Sequence, residues 1–376
     1  MKANKYVLVL VILAAASLFV YAENNSEVTK TFKVNKGGTL KVEIVAGDIS
    51  VNTWNKNEVT VKIEGVDDED RNLLDISQSG NTINVSYKGS GNWSNSDVNI
   101  NVPAEFNLDL NTNQGDVDVE NNIAGTIKAY SAGGDISLKD VGGNTTVKTY
   151  GGDVTTGSIA GDLNLSTNGG DIKVKNVSGK GEVKTLGGSI NMDNVSKELN
   201  AKTFGGDIYI GNIGGKAEIK TMGGSISLGK ISGSANVQTN GGNIKLTGAS
   251  GDTKAKTLGG NIFLYNITGN IDASTASGNV YAELTPSGKG KSNISSLSGT
   301  VKLLIDPNAK ATIEADVKTG DMDETEKMIE SDFPAKNFEK GDHSPNVKAT
   351  YLINGGGELI KLSTMNDKIF IKKLSN

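Results

Sequence analysis

Apolar and polar residues alternate along this chain in short runs, and between Ala132 and Val280 the runs return every eighteen residues. Stacked at that interval, one apolar column starts Ile136, Val154, Ile172, Ile190 and ends at Val280, and another, two residues on, runs from Leu138 to Ala282. A third holds Val141, Ile159 and Val177 through Ile267, and a fourth Val147, Leu165 and Val183 through Ala273. Asp, Asn, Ser, Lys, Glu and Thr fill the places between, so each half-repeat alternates with period two, as a half-buried strand does. Between the strands fall glycines on the same interval, Gly134 to Gly278 on one side and Gly143 to Gly269 on the other, where Lys197 is the break. The pattern predicts a coil of two short strands and two glycine corners.

One such coil buries too few side chains to offset the entropy of ordering it. Coils stacked about 4.8 Å apart pair every strand with its neighbours and share one core. The expected fold is therefore all-β, a parallel β-solenoid with eighteen-residue coils; roughly ten of them would make a rod about 50 Å long. Thr149, Thr167, Thr185 and their successors to Thr275 recur without a miss, two residues past the Val147 column. That parity points them inward, where their hydroxyls bond backbone at the corner.

The regular period is expected over residues 113–304. Residues 23–112 keep strand alternation without the interval and are read as irregular first coils, with Trp54 and Trp93 closing the open end of the rod. Residues 305–376 are read as further coils, interrupted near 323–345 by a charged, Pro-bearing loop or short helix and finished by Leu359–Leu362 and Ile369–Ile371, which close the other end. Caps are needed because a bare terminal coil is an aggregation-prone edge.

Composition narrows the setting. Lys2 and Lys5, the apolar run Tyr6–Val20 and the small residue Ala22 predict a signal peptide over residues 1–22, hence an exported protein of the periplasm, the outer cell surface or the medium, with no transmembrane span in the mature chain. Removing that segment leaves 36 basic side chains against 43 acidic ones. The balance excludes a basic nucleic-acid-binding face. With no cysteine there is no disulfide and no thiol metal site.

The Ala46–Val51 corner followed by Trp54, the Val98–Pro103 strand, the repeated Gly-Gly-Asp-Ile corners, the Ser331-Asp332-Phe333-Pro334 segment and the Gly355–Ile371 run resemble the bacterial DUF4097 family of exported putative adhesins. The resemblance covers nearly all of the mature chain. It implies a β-strand repeat protein and brings no catalytic motif.

Solenoids also host polysaccharide-active enzymes, and Asp135, Asp153 and Asp171 stack about 5 Å apart, near the separation of a retaining glycosidase pair. The same column continues through Ser189, Asp207, Ser225 and Asn243, residues that bond turn backbone. The repeats contain no arginine, and His343, the only histidine, has no triad around it. No catalytic residue and no cofactor are expected. The three aspartates remain a weak Ca²⁺ candidate, without the second aspartate column of a calcium-binding roll.

A binding role draws on a different set. Tyr209, Phe263 and Tyr281 replace small or charged residues in one outward column, and Tyr265 stands in the next. Phe263, Tyr265 and Tyr281 are expected to form one exposed patch. A glycan or a cell-surface protein is the partner such a patch fits. The other reading is an envelope scaffold or spacer that binds nothing.

Overall fold

The computed structural model describes residues 27–66, 71–87, 96–286, 290–319, 328–340 and 346–375. The leader, Trp93, residues 320–327 and His343 lie outside them. Two long sheets face each other. The front sheet stacks Ile136–Leu138, Val154–Thr156, Ile172–Val177 and their successors; the back sheet stacks Thr145–Thr149, Leu163–Ser166, Gly181–Lys184 and theirs. Every pairing in this run is parallel, with Ile136 beside Val154, Val154 beside Ile172, and so on to Ile262 beside Val280. The protein is a parallel β-solenoid with eighteen-residue coils.

All four apolar columns are buried. A fifth, two residues before Val147, is less uniform and includes Thr145, Leu163, Leu199 and Ala217; at its glycine, Gly181, a Cβ would lie 2.8 Å from Leu199 Cδ1, so the larger neighbour fills the space. The coil also bends a third time. In Ile172–Val177, Lys175 and Asn176 both point outward between inward Val174 and Val177, which gives the Val141 column its own short wall.

The corners explain two sequence features. Each inward threonine donates to a glycine carbonyl one coil back, Thr203 to Gly188 O at 2.8 Å and Thr221 to Gly206 O at 2.9 Å, and accepts from the glycine three residues on. Thr112, Ser131, Ser296 and Thr364 make the same donation at Gly47, Gly115, Gly278 and Gly299, so the ladder outlasts the regular period at both ends. At the second glycine of each pair the backbone of neighbouring coils nearly touches: a Cβ on Gly206 would stand 2.2 Å from Gly188 O.

The ends depart from the expectation. The first full coil, Thr39–Ala46 and Asp48–Trp54, is not outermost, because Thr82–Tyr87 and Asp97–Pro103 stack outside it. Antiparallel strands then finish that end, Glu58–Glu64 and Glu27–Lys33 on the front and Leu74–Ser79 on the back. Phe106 is fully buried there. Trp54 is no plug: it is half-exposed, its Nε1 donates to Glu58 O at 2.8 Å, and Lys56 lies over its ring.

The far end is interleaved in the same way. Glu358–Met365 and Ile369–Lys373 do not close the rod; they insert between the coil of Lys291–Ser296 and Val301–Ile305 and the strands Ala311–Lys318 and Ile329–Ser331. Within the segment read as a departing loop, Ile329–Ser331 and Asn337–Lys340 return to the two sheets. Inserting a late coil inside an earlier one gives it partners on both sides, and on the back sheet the Lys-bearing antiparallel strands Asn346–Ile353 and Asn337–Lys340 remain at the edge.

Candidate functional site

The front sheet carries the aromatic residues. Phe263 pairs with Tyr281, Tyr281 with Lys302, and Lys302 with Phe370, so four consecutive levels of one outward column hold three rings and a lysine. Phe263, Tyr265, Tyr281 and Phe370 are all half-buried. Tyr265, on the adjoining column one level down, meets Tyr281 with ring centroids 5.3 Å apart and planes tilted by 44°. A local irregularity sets that contact. Asn266 adopts φ 49°, a left-handed conformation Asn tolerates, and the pairing offset slips between Leu264 and Ile267. The bulge lies directly beside Tyr265.

Tyr281 is the best-anchored ring. Its hydroxyl donates to Glu283 Oε1 at 2.7 Å, and Lys302 Nζ lies 5.7 Å from its centroid. Burial, then the bond to Glu283, push its phenol up to about 12. Tyr209 shares the column but sits three coils below Phe263, with Ser227 and Lys245 between. It stands apart from the patch, and its hydroxyl donates to Asp207 Oδ2 at 3.2 Å. The charge of Asp207, more than partial burial, raises its pKa.

The aspartate ladder is occupied by backbone. Asp135, Asp153 and Asp171 each accept, through Oδ1, the N–H of the corner residue one coil on, Asp153, Asp171 and Ser189, at 2.7 Å every time. Among the described residues, no group of three or more histidines or acidic side chains is placed to hold a metal ion.

Two other surfaces carry a groove and a ring pair. A groove of about 480 Å³ crosses the back sheet near Asn164, Glu182 and Asn200. Three of its acidic side chains already hold lysines, Glu198 with Lys180 at 3.1 Å, Glu182 with Lys184, and Glu218 with Lys220 at 2.9 Å. Toward the first end of the same sheet Tyr130 and Tyr150 meet edge to face at 6.0 Å, and Lys148 lies over both rings. The hydrogen bond from Lys148 Nζ lowers the Tyr150 pKa.

Sequence reasoning missed Phe370, Lys302 and the Tyr130–Tyr150 pair. The last was visible in principle, since both tyrosines flank members of the inward Ser/Thr column. Phe370 was not, because no interval links it to Tyr281.

The family model described as Toastrack DUF4097 matches residues 39–211 and again 195–353. The chain belongs to the Toastrack DUF4097 family. Solved structures similar to this family member include a putative cell adhesion protein from Clostridium sporogenes, 12% identical over 93% of this chain and 99% of that one, with a TM-score of 0.18. A putative adhesin from Bacteroides fragilis is 14% identical over 93% and 98%, TM-score 0.19. A putative lipid binding protein from Parabacteroides distasonis is 14% identical over 75% and 98%, TM-score 0.25. No curated protein matches this Toastrack chain.

Proposed function

We propose that this protein is a non-enzymatic, exported binding module of the periplasm or outer cell surface, and that the front sheet around Tyr281 holds a glycan. The observation that carries the reading is the contact of Tyr265 with Tyr281 on a flat sheet, flanked in register by Phe263 and, beyond Lys302, by Phe370. Half-exposed rings packed on a flat sheet, with Tyr281 anchored through its hydroxyl, offer a sugar face contact area with little entropy left to lose. Lys302 and Glu283 add a donor and an acceptor beside them, the composition of a polar ligand's subsite. Export is supported by the Lys2–Ala22 segment. No helix of the described residues is long and apolar enough to cross a membrane.

The test is a variant with Phe263→Ser, Tyr265→Ser, Tyr281→Ser and Phe370→Ser, compared with wild type on immobilised cell-surface glycans and on intact cells. Binding is expected to fall at least tenfold while the circular dichroism stays unchanged. Undiminished binding by the folded variant would remove this face from consideration, and a wild-type protein that binds no surface glycan would favour the scaffold reading.

A further inference from the structure

Twelve large apolar side chains stand exposed among the described residues, and they are not scattered. Six of them, Tyr150, Leu186, Phe204, Met222, Leu258 and Leu297, lie in a single column at the corner that follows the inward Thr and Ser residues, with Asn168, Asn240 and Ala276 at the levels between, and Val45 and Met365 continue it by register toward the two ends. Leu258 is 60% and Phe204 58% exposed. The ridge is held level by level through backbone, Phe204 N–H to Leu186 O at 3.1 Å and Met222 N–H to Phe204 O at 3.2 Å.

Beside the ridge runs a bare shelf, the first glycine of each pair, exposed at Gly187, Gly205 and Gly223. Stacking does not demand glycine there as it does at the second position. A Cβ on Gly205 would meet Gly187 O at 3.1 Å, whereas one on Gly206 would meet Gly188 O at 2.2 Å. Charges flank the strip on opposite sides: Lys148, Lys184, Lys202 and Lys220 outside the ridge, Asp153, Asp171 and Asp207 outside the shelf.

From this strip we infer that two copies of the chain associate side by side, parallel and in register, about a two-fold axis along the rod. Such an axis turns the ridge of one copy onto the shelf of the other, and sets each lysine column against an aspartate column, with Lys148 level with Asp153 and Lys202 with Asp207. An antiparallel pair would oppose lysine to lysine and ridge to ridge. Only a partner with the same repeat, about 4.8 Å, stays in step along the whole stripe, which selects a second copy over an unrelated protein. Eight side chains, each contributing roughly half of an aromatic's ~150–250 Å², give on the order of 1,300 Å² over both copies. A specific interface needs about 1,000 Å². The inference stands apart from the glycan reading, and the corner contact leaves the front face open.

Sedimentation of the purified protein at micromolar concentration is expected to give a mass twice that of the chain, and Leu186→Ser, Phe204→Ser and Met222→Ser together are expected to halve it without altering the circular dichroism. The chain has no cysteine, so Leu186→Cys and Leu258→Cys, made singly, report orientation. Both are expected to form disulfide-linked dimers, because in a parallel pair every level meets itself. In an antiparallel pair, two levels four coils apart cannot both do so. A monomeric wild type, a dimer indifferent to the triple variant, or cross-linking at only one of the two sites would each overturn the inference.

Discussion

Gly205 and Gly206 are adjacent, both small and both at the surface corner, yet the stack constrains them differently. Gly206→Ala forces a methyl group against Gly188 O and is expected to cost about 3 kcal/mol, as backbone overpacking does; Gly205→Ala is expected to stay within about 1 kcal/mol. Thermal melting of the two variants compares them directly. Thr203 makes the same point for hydrogen bonds. Its hydroxyl serves both Gly188 O and the Gly206 N–H, so Thr203→Val leaves buried backbone unpaired and is expected to cost about 1–3 kcal/mol, while Thr203→Ser retains most of the stability. Tyr281 can be read by pH. Its phenol titrates near 12 when folded, above the ordinary value of about 10, so the stability it contributes is present below pH 10 and lost as pH rises from about 10 to 12. Tyr281→Phe is expected to remove a component of tyrosinate absorbance that titrates near 12. The inward threonines were legible in the sequence from parity alone. The unequal glycines were not, because both occur at every corner and only the approach of one coil to the next distinguishes them.

At the scale of the coil, the eighteen-residue interval is a register, and register is what deletions test. Excising residues 171–188 brings Ser189 N–H into reach of Asp153 Oδ1, which loses Asp171 as its donor, and restores every column. The shortened rod is expected to fold with nearly the original melting temperature. Deleting Lys173 and Val174 breaks the eighteen-residue step within one coil and strands its neighbours' corner bonds, so it is expected to melt far lower. The interleaved C-terminal coil behaves differently again. Removing residues 358–376 takes a partner from Lys291–Ser296 and Ala311–Lys318 on the back sheet and from Val301–Ile305 and Ile329–Ser331 on the front. That truncation is expected to cost more stability than the loss of a whole internal coil, which closed-up neighbours replace. The regular coils could be read because each strand pairs with a sequence copy of itself eighteen residues away. Glu358–Met365 pairs with Lys291–Ser296 across 68 residues, Lys291 with Leu359, and no periodicity announces such a step.

The whole molecule is a stack finished by antiparallel strands on both sheets at its first end and on the back sheet at its far end, with flat outer faces and one apolar corner. The closure leaves side-on rather than end-on association as the open route to assembly. Most of the front-face patch was legible, since Phe263, Tyr265 and Tyr281 break the rule of small or charged outward residues. Its extension to Phe370 depends on the interleaving and became visible only in the fold. The function proposed above rests on rings that touch a ligand, and ring resonances report such contact directly. In protein labelled at tyrosine and phenylalanine, addition of a surface glycan that the wild type binds is predicted to shift the ring signals of Phe263, Tyr265, Tyr281 and Phe370 and to leave those of Tyr130 and Tyr150 in place. Saturable binding with the four front-face rings unmoved would contradict the account.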